Sequence, residues 1–595
     1  MAETLISPGV LARENDQSFI QNAPAEFGAA VIGPTVKGPV RVPTLVTSYS
    51  SYINIFGGAA ESGSIDYGYL TNVAANNYFR QGGTSLLVTR VTHGSFSSAF
   101  TSGSTAGSGN SGILNTATSE SFQLETISEG AIMNNYQAAD SANGTLDSGS
   151  VDNVRWEISG VNTGSGTFSL IVRQGNDTAT QKNILETFNN LSLDPFQDNY
   201  VEKAIGNQKN TLRTDSDGVV YLQTTGSYVN KSRYVRVKQV LRPTPQFFNN
   251  AGTPASSSAG IPFVDFIPVA GSGSFISGSG ENFPSATSPA KFNENITNGN
   301  IQGLTATDYS SSISLLNNKD DYNFNVITMP GLTNNFAAHA TQINSLVSLA
   351  ENRQDCIAVV DVQAYGATVS AVTTQAATFD SSYAAAYWPW VQATDPSSGQ
   401  IVWAPASAFI PGVYSFTDQS SEPWFAPAGM IRGALGNVIQ AERKLTSSQR
   451  DTLYSANVNP IASFPGRGVV VFGQKTLQKR ASALDRVNVR RLLIAVKSFI
   501  SQIADNLVFE QNTIATRNNF LSEVNPYLES VQQRQGLYAF KVVMDETNNT
   551  PDVVDRNELV GAIYLQPTKT AEFIVLDFNV LPTGATFDGG GSGGY

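Results

Sequence analysis

The spacing of apolar residues changes character several times along the chain. Between Phe27 and Thr92 it is broken into short runs, as in GAAVIGPTVKGPVRVPTLV, whose Gly and Pro punctuation predicts short strands. YGYLTNVAANNYFRQGG then takes a helical period that closes at Gly82, and SLLVTRV reads as a strand. Past Gly94 come β-like runs: SFQLETI (121–127), VRWEISGV (154–161), TFSLIVRQ (167–174) and VVYLQ (219–223). They lie between stretches rich in Ser, Gly, Ala and Pro at 101–112 and 251–300, so 95–310 is expected to be a β-rich insertion of one or two modules. An α/β pattern resumes at 311. NFNVITMPG (323–331) reads as a strand, FAAHATQINSLVSLAENR (336–353) as an amphipathic helix and DCIAVVDVQ (355–363) as a buried strand. Strand, helix and strand at this spacing predict a parallel βαβ unit. The MPG at the strand end could cradle an anion, or Gly331 could simply make a turn. GNVIQAERKL (436–445) is expected as a helix and GVVVFGQKTL (468–477) as a strand.

A long helix follows. Val489, Leu492, Val496, Phe499, Ile503 and Leu507 step by three or four and form one apolar stripe, with Arg490, Arg491 and Lys497 off it. GLYAFKVVMD (536–545), GAIYLQP (561–567) and AEFIVLDFNVL (571–581) predict closing strands, TLISPGVLARE (4–14) an extended arm, and DGGGSGGY a flexible tail. The fold class that follows is multidomain, α+β and α/β: a core with parallel strands, a C-terminal α+β domain, a β-rich insertion and extended strand arms at both ends.

Composition narrows the chemistry. The 595 residues exceed one core and suggest roughly three to five domains. Apolar residues make up 41% and charged residues only 14%, so real cores are available while the surface relies on small polar side chains. His93 and His339 are the only histidines, which leaves no clustered set for zinc and no marked partner for a Ser-His-Asp machine. No G-x-x-x-x-G-K-S/T phosphate loop is present. No catalytic residue, metal or cofactor is therefore expected. Cys356, inside CIAVV, reads as a buried thiol. MAETLISPGV lacks a basic start followed by an apolar run, and no apolar run approaches the ~20 residues of a membrane span, so a soluble chain made in a cytoplasm is expected.

Charge raises a sharper question. The net charge is −12, yet between Arg467 and Lys497 eight Lys or Arg stand against one acid, Asp485. A solvated helix face, a nucleic acid, an anionic membrane or an acidic protein partner could each account for it. Residues 474–500 have Phe499 as their one aromatic and no readout grammar for nucleic acid, and their apolar stripe has the pattern of a core helix rather than a membrane-surface one.

YWPWVQATDPSSGQIVWAPASAFIPGVYSFTD (387–418) resembles the central signature of contractile-tail sheath proteins, which coat the tails of contractile phages and related injection devices. The resemblance continues through PWFAPAG (423–429), NVNPIASFPGRGVVVFGQKTL (457–477), RRLLIAVKSFI (490–500) and TNNTPDVVDRNELVGAIYLQPTKTAEFIVLDF (547–578). It covers 304–587 and the first 90 residues, with 95–310 matching less well. It implies a non-enzymatic subunit that stacks in six-fold rings around a tail tube and contracts to drive the tube through the host envelope for genome delivery. The implied partners are copies of itself, the tail tube protein, and baseplate and tail terminator proteins, with no nucleic acid and no membrane insertion. The implied location is the virion, after assembly in the host cytoplasm.

Under that resemblance 1–25 is an N-terminal arm, 26–94 and 311–480 form the core sheath domain, and 95–310 is an outer insertion. Residues 481–570 are an inner, tube-facing domain, 571–587 a C-terminal strand arm and 588–595 a flexible tail. Leu5, Ile6, Pro8, Gly9 and Val10, with Phe573, Ile574, Val575, Leu576 and Phe578, would add strands to other subunits, because unpaired apolar strands are a hazard in a monomer. Lys475, Lys479, Arg480, Arg486, Arg490, Arg491 and Lys497 would form a basic patch toward an acidic tube. Two other readings stand beside this one: a surface adhesin or layer protein, and a carboxylate-based glycan hydrolase carried in the insertion, hinted at by Trp156 beside Glu157.

Overall fold

The computed structural model describes residues 28–62, 65–101, 120–136, 144–281 and 292–572. Its largest feature is an eight-stranded sheet assembled from distant parts of the chain. The strands are β1 (Ala29–Gly33), β2 (Thr44–Val46), β3 (Leu86–Arg90), β4 (Val326–Thr333), β5 (Ile357–Asp361), β6 (Ala384–Trp388), β7 (Val458–Phe464) and β8 (Gly468–Val471), ordered β2-β3-β1-β4-β5-β6-β7-β8. From β3 to β7 all neighbours are parallel. The two edge strands are antiparallel. β1 and β4 pair although the whole insertion separates them in sequence.

Alternation places this sheet between two cores. Ala29 and Val31 of β1, Ile357 and Val359 of β5, and Ala385 and Tyr387 of β6 pack on one face with helices α1 (Leu70–Arg80) and α3 (Ile410–Ser420). Ala30, Ile32, Ala358, Val360, Ala386 and Trp388 pack on the other, with Ile343 and Leu346 of α2 (Ala337–Arg353). A parallel sheet carries crossover helices on its faces, so its strands are buried on both sides and read as continuous apolar runs. Gly412 lets α3 approach α1, since a Cβ there would lie 2.7 Å from Asn77 Nδ2. MPG lies inside β4, where the register shifts between Thr328 and Thr333, and Gly331 adopts φ 106°, a conformation suited to glycine. The segment expected at a strand end is thus a register shift within the strand instead of a turn closing it.

The β-like runs of the insertion form their own sheets. Ile184–Ser192, Thr167–Gln174, Val154–Asn162 and Gly271–Gly273 make one of four strands, and Val235–Val240, Phe122–Glu129 and Ser98–Phe100 one of three. Trp156, Phe122, Phe168 and Leu170 centre a separate core. At the seam with the large sheet, Lys37 donates to Asp152 O at 3.1 Å, and Arg90 donates to Gly38 O at 2.6 Å and Glu129 O at 2.7 Å.

One expected element is different. GNVIQAERKL forms a strand, Val438–Ala441, which pairs antiparallel with Val391–Thr394 rather than coiling into a helix. Ile401–Ala404 completes that small sheet on the other side. The segment follows Gly433 and Gly436 and lies beside a ready strand edge, so tertiary pairing overrides its weak helical period.

The chain divides into two compact units, the second starting at Phe509. The first ends with the long helix α4 (Val487–Asp505). The second contains α5 (Ile514–Gln533), whose Phe520, Val524, Leu528 and Val531 are buried, and a hairpin of Leu537–Val543 with Ala562–Pro567.

Candidate functional site

The basic stretch is the most specific sequence-level candidate for a contact surface. The fold divides it. Segment 474–487 doubles back on itself: Lys475 and Arg486 form an antiparallel bridge, and Thr476 and Val487 donate backbone N–H groups to Asp485 and Gln474. Lys475 is consumed there. Its Nζ donates to Tyr454 O at 2.8 Å and stands 4.6 Å from the Tyr454 ring. Arg486 approaches the same ring at 5.8 Å and pairs with Asp485 at 3.1 Å.

The first half of α4 is enclosed. Arg490 and Arg491 are only 5% and 4% exposed. Arg490 bonds to Ser382 and lies 3.9 Å over the Tyr383 ring, and burial lowers its pKa. Arg491 grips both oxygens of Asp418 at 2.6 and 2.7 Å and lies 4.7 Å over Tyr414, whose hydroxyl bonds to Tyr387. Burial raises the Asp418 carboxyl, and Arg491 opposes that rise. The expectation that Arg490 and Arg491 lie free beside the apolar stripe is therefore corrected. Apolar periodicity finds Val489, Leu492 and Val496, which are buried, but it has no way to register cations buried by aromatic rings and a carboxylate.

Lys479, Arg480 and Lys497 remain exposed. Lys497 donates to Gln354 at 2.6 Å and has a lowered pKa, from partial burial first and from Arg490 and Lys319 next. The side chains of Lys479 and Arg480 have no partner among the described residues; their backbones are used, the Lys479 N–H donating to Asp380 at 2.8 Å and the Arg480 carbonyl accepting from Gln478 at 2.6 Å. The strand-arm residues Leu5, Ile6, Pro8, Gly9, Val10, Phe573, Ile574, Val575, Leu576 and Phe578 lie outside the described residues.

The hydrolase hint has a structural use. Trp156 is buried and donates to Ser274 O at 3.1 Å, while Glu157 is held by Arg173 at 2.8 Å and Lys182 at 2.7 Å. His93 pairs with Asp308 at 3.0 Å, and burial pushes His339 down to about 4. Burial raises the Cys356 thiol. No group of three or more potential metal ligands occurs among the described residues, and no helix among them is long and apolar enough to cross a membrane.

Residues 302–477 match the model of the phage tail sheath protein central domain, and 480–580 match that of the phage tail sheath C-terminal domain. Over these two stretches the chain carries phage tail sheath domains. Among its relatives, the tail sheath protein of Vibrio phage KVP40 is 38% identical over 40% of this chain and 36% of its own length. That of Enterobacteria phage T4 is 41% identical over 31% of this chain and 28% of its own. The chain thus spans about a third of these longer sheath proteins. A sheath tail protein from Listeria innocua, 11% identical, shares the fold over 92% of this chain and 96% of its own, with a TM-score of 0.50. The signature at 387–418 holds the end of β6, two strands of the small antiparallel sheet and most of α3, including the Asp418 that holds Arg491. Sequence reading identified the signature but missed Asp418, Tyr383, Tyr414 and Tyr454 as partners of the cations. Only their aromatic or acidic character hinted at such roles.

Proposed function

We propose that the chain is a structural sheath subunit. It polymerises as six-fold rings stacked around a tail tube, meets baseplate and terminator proteins at the ends, and shortens to drive the tube through the host envelope during genome delivery. The observation that carries this reading is the near-continuous match of 302–580 to the sheath central and C-terminal domains.

Contraction of this kind needs subunits that move as rigid bodies while their links survive. The doubly covered sheet of 26–94 and 311–480 suits the first requirement. The terminal arms suit the second, since added strands bind through backbone hydrogen bonds that tolerate rotation about the link. A two-stranded hairpin is marginal alone, and 537–543 with 562–567 would be completed by a neighbour's arm. The insertion at 95–310 would lie at the outer radius and 481–570 at the inner. Of the seven cations, Lys479, Arg480 and Lys497 are the ones a tube could meet. Exposed pairs are worth only ~0.2–1 kcal/mol each, enough to set register when repeated around a ring and weak enough to be released together. Electron microscopy of the purified chain with and without tubes tests this reading: helically striated sheaths support it, and a persistently monomeric chain overturns it.

A further inference from the structure

A second feature lies in the small antiparallel sheet of Val391–Thr394, Ile401–Ala404 and Val438–Ala441. Gln392 stands opposite Trp403 on one neighbour and Gln440 on the other, so the three share a face. Period-two alternation adds Trp390 and Glu442 to that face, and the Glu442 N–H donates to Trp390 O at 2.8 Å, extending the ladder. Tyr365, 38% exposed, approaches Trp403 at 5.3 Å and Trp390 at 6.2 Å between ring centres.

Glu442 is the anomaly. Its side chain is 6% exposed, and Oε1 accepts the Gly366 N–H at 3.0 Å. Oε2 is buried with no donor among the described residues. Arg443, 42% exposed, comes no nearer to Oε1 than 3.7 Å. Burial raises the Glu442 carboxyl, and Glu442 in turn raises the Tyr365 hydroxyl after burial does. Arg443 faces one oxygen of this buried carboxylate at 3.7 Å and leaves Oε2 without a donor among the described residues. The half-buried Trp403 and exposed Tyr365 lie on the same face; a further cation there would meet the negative faces of the rings and the field of the carboxylate.

We propose that this face is a receptor for a basic side chain of a neighbouring copy of the chain, the cation resting on Tyr365 and Trp403 with Glu442 behind it. The occupant is a second copy because a homopolymer offers each subunit many copies of one loop, and Lys479 and Arg480 form an exposed cation pair whose side chains lack partners among the described residues. This part rests on the sheath reading and gives to a neighbouring copy two cations that the tube could otherwise meet, a loss confined to assembly on tubes favouring the tube. The affinity of the face for a cation rests on neither.

Two arms test it on the full chain. In the first, fluorotryptophan-labelled protein is titrated with N-acetyl-arginine methylamide under non-assembling conditions, following the Trp403 resonance. Saturable binding is expected, weaker by about two- to five-fold in Glu442→Gln. The melting temperature of Glu442→Gln should be unchanged or raised, because a buried charge with one oxygen lacking a donor is removed and the amide keeps an acceptor for the Gly366 N–H. A marked fall would assign Glu442 a purely structural role and overturn the proposal. Equal titrations of wild type and variant would overturn it as well. A chain ending at 572 that binds the probe when the full chain does not would assign the face to the chain's own tail, against a second copy.

In the second arm, polymer yield is measured by sedimentation. Glu442→Gln and Lys479→Glu/Arg480→Glu should each lower it, and together no further than the worse alone. Multiplying losses would overturn the pairing. A wild type that forms no polymer would sink the sheath reading, while the first arm still decides whether the face binds a cation.

Discussion

The eight-stranded sheet and the C-terminal hairpin solve the same problem to different extents. The sheet is covered on both faces. Its outer strand β8 is capped by the backbone of 433–435, through Leu435 to Val469 and Gly433 to Val471. The hairpin of Leu537–Val543 and Ala562–Pro567 has two strands among the described residues, and Tyr538 and Tyr564 are 63% and 62% exposed. The sheet finds its cover on both faces and at the β8 edge within the chain; the hairpin presents apolar surface and a short ladder that a further strand would extend. A subunit built to be rigid in one place and incomplete in another is suited to assembly through the incomplete part.

The largest expected effect is on the complete region. Ile461→Ala, in β7 with its side chain fully buried, should lower unfolding free energy by about 2–5 kcal/mol in urea titrations. A much smaller loss would show the sheet core to be loosely packed. Next is Arg491→Met. Losing the paired bonds to Asp418 should cost about 1.5–3 kcal/mol, measured the same way, because the arginine is internal rather than an assembly contact. A fully stable monomer with defective assembly would contradict that placement.

A third effect is a pH slope. Burial pushes the Asp361 carboxyl, hydrogen-bonded to Ser407, up to about 7 from its ordinary 3.8. The folded chain therefore keeps a proton that the unfolded chain has released, and stability falls as pH rises through that window and levels off above it. Asp361→Asn should flatten the slope in urea midpoints taken from about pH 5 to about pH 8. An unchanged slope would remove Asp361 from the account.

Smaller still, Lys479→Glu with Arg480→Glu should leave the monomer's melting untouched. It should weaken assembly on tubes, a defect that raised salt mimics in the wild type, since each exposed pair contributes only ~0.2–1 kcal/mol. Smallest is Tyr538→Ser with Tyr564→Ser, within about 0.5 kcal/mol on the monomer, as for exposed sites generally. A large destabilisation would show the hairpin to be as self-contained as the sheet.

Much of the large sheet was legible because buried parallel strands are short apolar runs with clear Gly and Pro punctuation: NFNVITMPG, DCIAVVDVQ and the helix between them all form as read. The pairing of β1 with β4 was not legible, since nothing local to Ala29–Gly33 or Val326–Thr333 names its partner across the insertion. GNVIQAERKL misled because its few apolar residues fit either period until a strand edge decides between them. In the basic stretch, sequence gave the charges but not their fates. Lys475, Arg486, Arg490 and Arg491 are absorbed by Tyr454, Tyr383, Tyr414 and Asp418, which are remote in sequence and adjacent only in the fold.

The most direct test of the central claim removes residues 1–15 and compares the truncated with the intact chain by melting and by electron microscopy in the presence of tail tubes. The account predicts the same cooperative melt for both and striated sheaths from the intact chain alone. Normal sheaths from the truncated chain would contradict it.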